Sequence, residues 1–123
     1  MSESSHQIAL FRWAVVAEAT RPELALLYAV PNGGHRNKAT AGRLKAEGVR
    51  RGVPDVCLPV PRGGYGALYI ELKAPREPGG GKRAGRLSQS QADYGAALLR
   101  AGNAWVVAYG WDEARKHIEG YLG

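Results

Sequence analysis

The 123-residue sequence predicts an α/β fold in which helices flank a mixed sheet of about four strands. Three observations carry this expectation. Residues 52–73, GVPDVCLPVPRGGYGALYIELK, place two apolar, partly β-branched arms around RGGYG at 62–66, and so read as a β-hairpin. Residues 103–110, NAWVVAYG, form a short continuous apolar run, the pattern of a strand covered on both faces. Apolar residues recur at helical spacing before, between and after these strands. The predicted order is helix, strand, helix, strand, strand, helix, strand, helix.

The first helix spans residues 4–20. Ile8, Phe11 and Val15 keep helical spacing with Leu10 and Ala14 beside them, and Ser4 or Ser5 caps the start. Glu3 and Gln7 lie four apart and share one side of the first turns, where a solvated helix end explains both. Residues 24–30 are an apolar run of strand or short-helix type, closed by the turn Pro31-Asn32-Gly33-Gly34. A basic segment follows, with Arg36, Lys38, Arg43, Lys45, Arg50 and Arg51 against the lone Glu47. Residues 40–47 have helical character and Gly48 suits a C-cap. His35 is a candidate metal ligand or general base, although a loop histidine among glycines commonly has neither role.

After the hairpin, APREPGGGKRAGR at 74–86 combines three consecutive glycines with Arg76, Lys82, Arg83 and Arg86, and reads as a mobile basic loop. Ser88 is a good N-cap for a helix that runs to about residue 101. Leu87, Gln91, Tyr94 and Leu98 keep its spacing and Gly102 ends it. Trp111-Asp112-Glu113 opens the last helix, which continues through His117, Ile118 and Tyr121. Trp105 and Trp111 read as packing residues.

The hairpin carries acidic chemistry that folding does not require. Residues opposite each other in an antiparallel pair share a face, and side chains alternate along each strand. With the turn centred on Gly63 or Gly64, Asp55 falls opposite Glu71 or Lys73. Those two share a face, Asp55 joins them, and Leu72 points the other way, towards a core. Two carboxylates and an ammonium suit a Mg²⁺ or Mn²⁺ site for phosphodiester hydrolysis, with the lysine orienting water or offsetting charge on the phosphate. On spacing alone, an Asp turn-former and a Glu–Lys pair on a solvated strand face fit these residues equally well.

The balance of 17 basic and 11 acidic residues, net +6, favours a polyanionic partner. A single cysteine, Cys57, excludes an internal disulfide or a multi-cysteine zinc site. No apolar run approaches the roughly 18 residues of a membrane span, and the start lacks a signal pattern. These features predict one reduced, cytoplasmic domain over 1–123, with no membrane and no small-molecule substrate.

Four blocks in order, AVPNGGHRN at 29–37, RLKAEGVRRGVPDVCLPV at 43–60, LYIELKAP at 68–75 and GRLSQSQADYGAALLRAGNAWVV at 85–107, resemble the VRR-Nuc (virus-type replication-repair nuclease) domain, in its stand-alone phage and bacterial form. Within them, Pro54-Asp55 and Glu71-Leu72-Lys73 look like a PD-(D/E)xK motif. The resemblance implies a restriction-endonuclease-like core and a metal-dependent endonuclease. Asp55, Glu71 and the main-chain carbonyl of Leu72 would be metal contacts, Lys73 the catalytic lysine, and Gln91 the glutamine supporting the site and its water. A first-helix glutamate, Glu3 followed by Gln7, would reach the metal directly or through water, with Glu18 as the fallback. The stand-alone members resemble Holliday junction resolvases and act as homodimers, here through Phe11, Trp13 or the last helix.

The expected function is therefore Mg²⁺- or Mn²⁺-dependent cleavage of branched DNA, four-way junctions first, in a bacterial cell or phage-infected host. Residues 36–51 and 76–86 would grip phosphates without reading sequence. The alternatives are a nickase, a flap, packaging or restriction nuclease, a non-catalytic basic DNA-binding module, and a structural subunit of a phage complex.

Overall fold

A computed structural model describes residues 1–31, 37–81 and 83–123. Four helices, α1 (Glu3–Ala17), α2 (Lys38–Ala46), α3 (Gln89–Arg100) and α4 (Trp111–Leu122), accompany four strands, β1 (Tyr28–Ala29), β2 (Val56–Leu58), β3 (Leu68–Lys73) and β4 (Ala104–Tyr109). The sheet order is β1-β2-β3-β4. The first two pairings are antiparallel and β3–β4 is parallel, reached through α3 as a parallel crossover requires. The predicted mixed sheet and element order hold. None of the helices among the described residues is long and apolar enough to cross a membrane.

One sheet face is the apolar core. Val56, Leu58, Leu68, Ile70, Leu72 and Ala108 pack with Leu10 and Ala14 of α1 and Ala114 and Ile118 of α4. This corrects the expected face of α1. Ile8 and Val15 are 52% and 67% exposed, while His6, Leu10 and Ala14 are buried. The buried row contains a histidine because its ring has a partner: His6 Nδ1 accepts the Trp111 N–H at 3.0 Å, capping α4 where Gly110 has no side chain to do so. The cap of α1 is Ser2, whose hydroxyl accepts the Ser5 N–H at 3.1 Å, rather than Ser4 or Ser5.

Other elements were foreseen with different extents. The run at 24–30 divides into a 3₁₀ turn, Pro22–Leu26, and the two-residue β1. Strand β4 is half-buried along most of its length rather than covered on both faces, because it is the sheet edge and only β3 flanks it. Helix α2 buries no residue at all, and ends in a Schellman closure at Gly48 (φ 101°), with Val49 N–H to Leu44 O at 2.9 Å.

The hairpin tip is Arg62-Gly63-Gly64-Tyr65, closed by reciprocal Arg62 and Tyr65 backbone bonds of 3.1 and 2.8 Å. Both glycines have positive φ, 58° and 88°, as a primed two-residue turn needs. The ladder beyond pairs Leu58 with Leu68 and Val56 with Ile70, shifted by one residue from the tip. The extra residue sits at Pro59, where Val60 N–H bonds back to Leu58 O at 2.9 Å, a bulge in the first arm. Tyr121 of α4 donates its hydroxyl to Val60 O at 2.6 Å and ties this bulge to the core.

Candidate active site

The second sheet face holds the acidic residues. Continuing the Val56–Ile70 register by one places Asp55 across from Glu71. Asp55 Oδ2 accepts the Leu72 N–H at 2.8 Å, which fixes its carboxylate at the strand end. Glu71 is 1% exposed and Lys73 6%, so the polar face is as deeply buried here as the core. Lys73 Nζ lies 3.7 Å from Glu71 Oε1. The predicted convergence of Asp55, Glu71 and Lys73 is present, and Leu72 points into the core. The solvated strand face that fitted the spacing equally well is absent.

Proline shapes the main chain at this point. Extending the register once more sets Pro54 opposite Leu72. Proline has no N–H, so Pro54 offers the Leu72 carbonyl no ladder donor.

The electrostatics of Glu71 are unfavourable as they stand. Its pKa is pushed up to about 8, first by burial, then by the charge and hydrogen bonding of Asp55, with Glu3 adding a smaller push and Lys73 opposing. Oε1 accepts from Gln91 Nε2 at 2.9 Å, while Oε2 is buried with no hydrogen-bond partner among the described residues. A cation against that oxygen would relieve both strains. The donors are hard oxygens, the chemistry of Mg²⁺ or Mn²⁺. No three His, Cys, Asp or Glu side chains converge into a ligand set among the described residues. The two carboxylates that are present, Asp55 and Glu71, are the number that an ion keeping several waters takes.

A cleft of about 320 Å³ opens beside Asp55, lined by Glu3, Ser4, Gln7, Val30, Pro31, Asp55 and Leu72; Glu71, Lys73 and Gln91 are not among its lining residues. Helix α1 thus brings Glu3 and Gln7 to the site. Glu18 caps the other end of that helix, about 22 Å away by helical rise.

Gln91 is held from two sides. Its Oε1 accepts the Ser88 N–H at 2.9 Å while the Ser88 hydroxyl accepts the Gln91 N–H at 3.2 Å, a capping box that aims Nε2 at Glu71. Gly52 packs on the same helix start, where a Cβ would overlap the Ser90 carbonyl, and its φ of 80° suits glycine. The segment carrying Asp55 is thereby docked against the helix carrying Gln91. Sequence reasoning singled out neither Gly52 nor His6 for this positioning. The glycine directly before Val-Pro-Asp was a readable signal, whereas nothing local marks His6 as a cap for a helix a hundred residues away.

The basic candidates divide by location. Lys38, Arg43 and Lys45 lie on the exposed α2, and Arg50 and Arg51 are exposed on the approach to Asp55. The exposed Arg43–Glu47 pair at 3.5 Å contributes little. Arg76, Arg83 and Arg86 are gathered around a second cavity. The segment at 74–86 is shaped by a 3₁₀ turn, Pro78–Gly80, and by Gly85 N–H bonding Ala74 O at 2.9 Å. His35, Arg36 and Lys82 lie outside the described residues.

Comparison with known proteins places the fold and the family. The family model of the VRR-NUC domain matches residues 2–112. A solved structure described as a VRR_NUC domain protein superposes with a TM-score of 0.78 at 24% identity, covering 99% of this chain and 88% of that one. No curated protein matches the chain. With the family model spanning nearly its whole length, the chain belongs to the VRR-NUC domain family.

Proposed function

We propose that this protein is a Mg²⁺- or Mn²⁺-dependent endonuclease that cleaves branched DNA, four-way junctions first, and acts as a homodimer. Membership of the VRR-NUC family carries a nuclease-type function with DNA as substrate. The observation that supports metal dependence is Glu71: buried, crowded by Asp55, raised to about pKa 8, and with one oxygen unpartnered among the described residues. Such a carboxylate is relieved by a proton or by a cation, and a bound ion would do so in the charged form.

Asp55, Glu71 and the Leu72 carbonyl would hold the ion, with Glu3 contributing through water from the cleft rim. The ion supplies charge stabilisation at the phosphate and a more acidic water. Lys73, buried with its Nζ 3.7 Å from Glu71 Oε1, would offset the charge that develops on the phosphate oxygens. Gln91, locked by its capping box, orients the attacking water alongside Glu71. Lys38, Arg43, Lys45, Arg50 and Arg51 are exposed cations that would contact the phosphates of the duplex arms. The preference for junctions and the dimer rest on the resemblance to stand-alone family members, and two sites across one junction suit paired incisions.

The test is cleavage of a labelled four-way junction beside a linear duplex of the same sequence, with Mg²⁺, Mn²⁺ or EDTA. Symmetric cuts on the junction alone, lost in EDTA, are expected. Metal-dependent cutting of flaps or duplex instead would keep the chemistry and discard the junction. Binding without cutting in either metal would overturn the nuclease reading of this site.

A further inference from the structure

A second cavity, of about 440 Å³, is lined by Arg76, Arg83, Ala84 and Arg86. It shares no residue with the acidic cleft. The chain geometry that gathers three arginines is specific. Gly85 N–H bonds Ala74 O, which closes residues 74–85 into a loop and brings Arg83 and Arg86 back to Arg76. Gly79 and Gly80 turn the chain with φ of 78° and 82°. The acid in this loop, Glu77, sets its carboxylate towards Gly81 and is not part of the cavity lining. Like charges gathered in one concavity cost free energy unless an anion sits among them.

The loop is also registered to the acidic site. Gly85 lies against the Lys73 stem, where a Cβ would stand 3.2 Å from Lys73 Cδ. Arg76 follows Lys73 by three residues, on the order of 10 Å of extended chain. Successive phosphates along a DNA strand are separated by a comparable step or less. Three residues of extended chain thus keep the Arg76 backbone within about 10 Å of Lys73, a span of one or two nucleotides of a strand.

We propose that Arg76, Arg83 and Arg86 form a discrete site for one non-scissile phosphate of the bound nucleic acid. The proposal rests on the nuclease reading above and adds where the strand is gripped. Guanidinium forks match phosphate oxygens two at a time, so a pocket of three holds one phosphate in a defined place rather than a diffuse anionic cloud. A terminal phosphate and an internal phosphodiester share this chemistry.

The experiment measures DNA binding in EDTA, so it is independent of cleavage. Junction arms carry a single neutral methylphosphonate linkage at successive positions, or a 5′-phosphate against a 5′-hydroxyl. The wild-type protein is expected to weaken about tenfold at one or two positions only. The R76Q/R83Q/R86Q protein is expected to lose that position dependence and bind all the oligonucleotides alike. All three arginines are exposed, and an unchanged circular dichroism spectrum certifies the folded variant. Dependence on the terminal phosphate alone identifies an end-binding pocket and keeps the site. A flat profile for wild type, or a profile that survives the triple substitution, overturns it. A wild-type protein that binds no DNA overturns the function reading as well.

Discussion

The two faces of strand β3 are equally hidden and chemically opposite. Leu68, Ile70 and Leu72 are at most 1% exposed and rest on α1 and α4. Glu71 and Lys73 are 1% and 6% exposed and rest on Asp55 and Gln91. Burial stabilises the first face through the removal of apolar surface from water. On the second it desolvates charge, which opposes folding unless each group is paired. One strand thus couples a stabilising layer to a costly one, and the difference shows that depth alone does not mark a core. The unpaired Glu71 oxygen is where this face departs most from what stability would select.

Substitutions on the two faces should separate activity from stability, and the largest effect is expected on the polar one. Glu71→Gln should lower metal-dependent cleavage by about 10³-fold or more while the protein remains folded, because a neutral amide removes the oxygen charge the ion needs. Cleavage near the wild-type rate would remove Glu71 from the chemistry. On the other face, Leu72→Ala should cost about 2–5 kcal/mol in urea unfolding through the cavity it leaves. A loss under 1 kcal/mol would mean that this layer is not the stabilising one.

The seam between the faces should respond more mildly. Gly52→Ala forces a Cβ into the Ser90 carbonyl and strains a positive φ, so about 2 kcal/mol of stability should be lost together with part of the cleavage rate. Unchanged stability and activity would show that the Asp55 segment is not docked on α3 as described.

The polar face should also leave its mark as a pH dependence of stability that Glu71 contributes. Because the folded pKa of Glu71 is raised from 4.5 to about 8, the folded state binds more protons than the unfolded chain between those values. Stability of the metal-free protein should therefore fall as pH rises through that window, and Glu71→Gln should remove this component. Thermal unfolding in EDTA from pH 4.5 to 8 reads it. An identical slope in the variant would assign the dependence to other groups.

The shared face of Asp55, Glu71 and Lys73 was foreseen from a turn centred on Gly63 or Gly64. The tip is centred between those glycines, and only the bulge at Pro59, which has no signature in the parity rule, restores the match. Gln91 and Glu3 needed the family likeness, since a helix face and a chain terminus have no such constraint. The core face of α1 was misjudged for a physical reason. Ile8 and Val15 look like core residues by composition, yet His6 takes the buried place because its ring nitrogen satisfies a backbone N–H of α4. A long-range cap has no local signature. The half-buried state of β4 likewise depends on its being an edge, which the order of strands decides and the residues of β4 do not.

The bulge at Pro59 sets the phase of the whole site. A two-residue turn with an unbroken ladder would have paired Asp55 with Leu72 and sent its carboxylate into the apolar layer. One additional residue in the first arm, held in place by Tyr121, restores the odd-to-odd match that brings Asp55 beside Glu71. The loss of a single codon at position 59 would thus part Asp55 from Glu71 and Lys73 without altering any of the three. Inheritance of the proposed site depends on the length of an apolar arm as strictly as on the acids at its end.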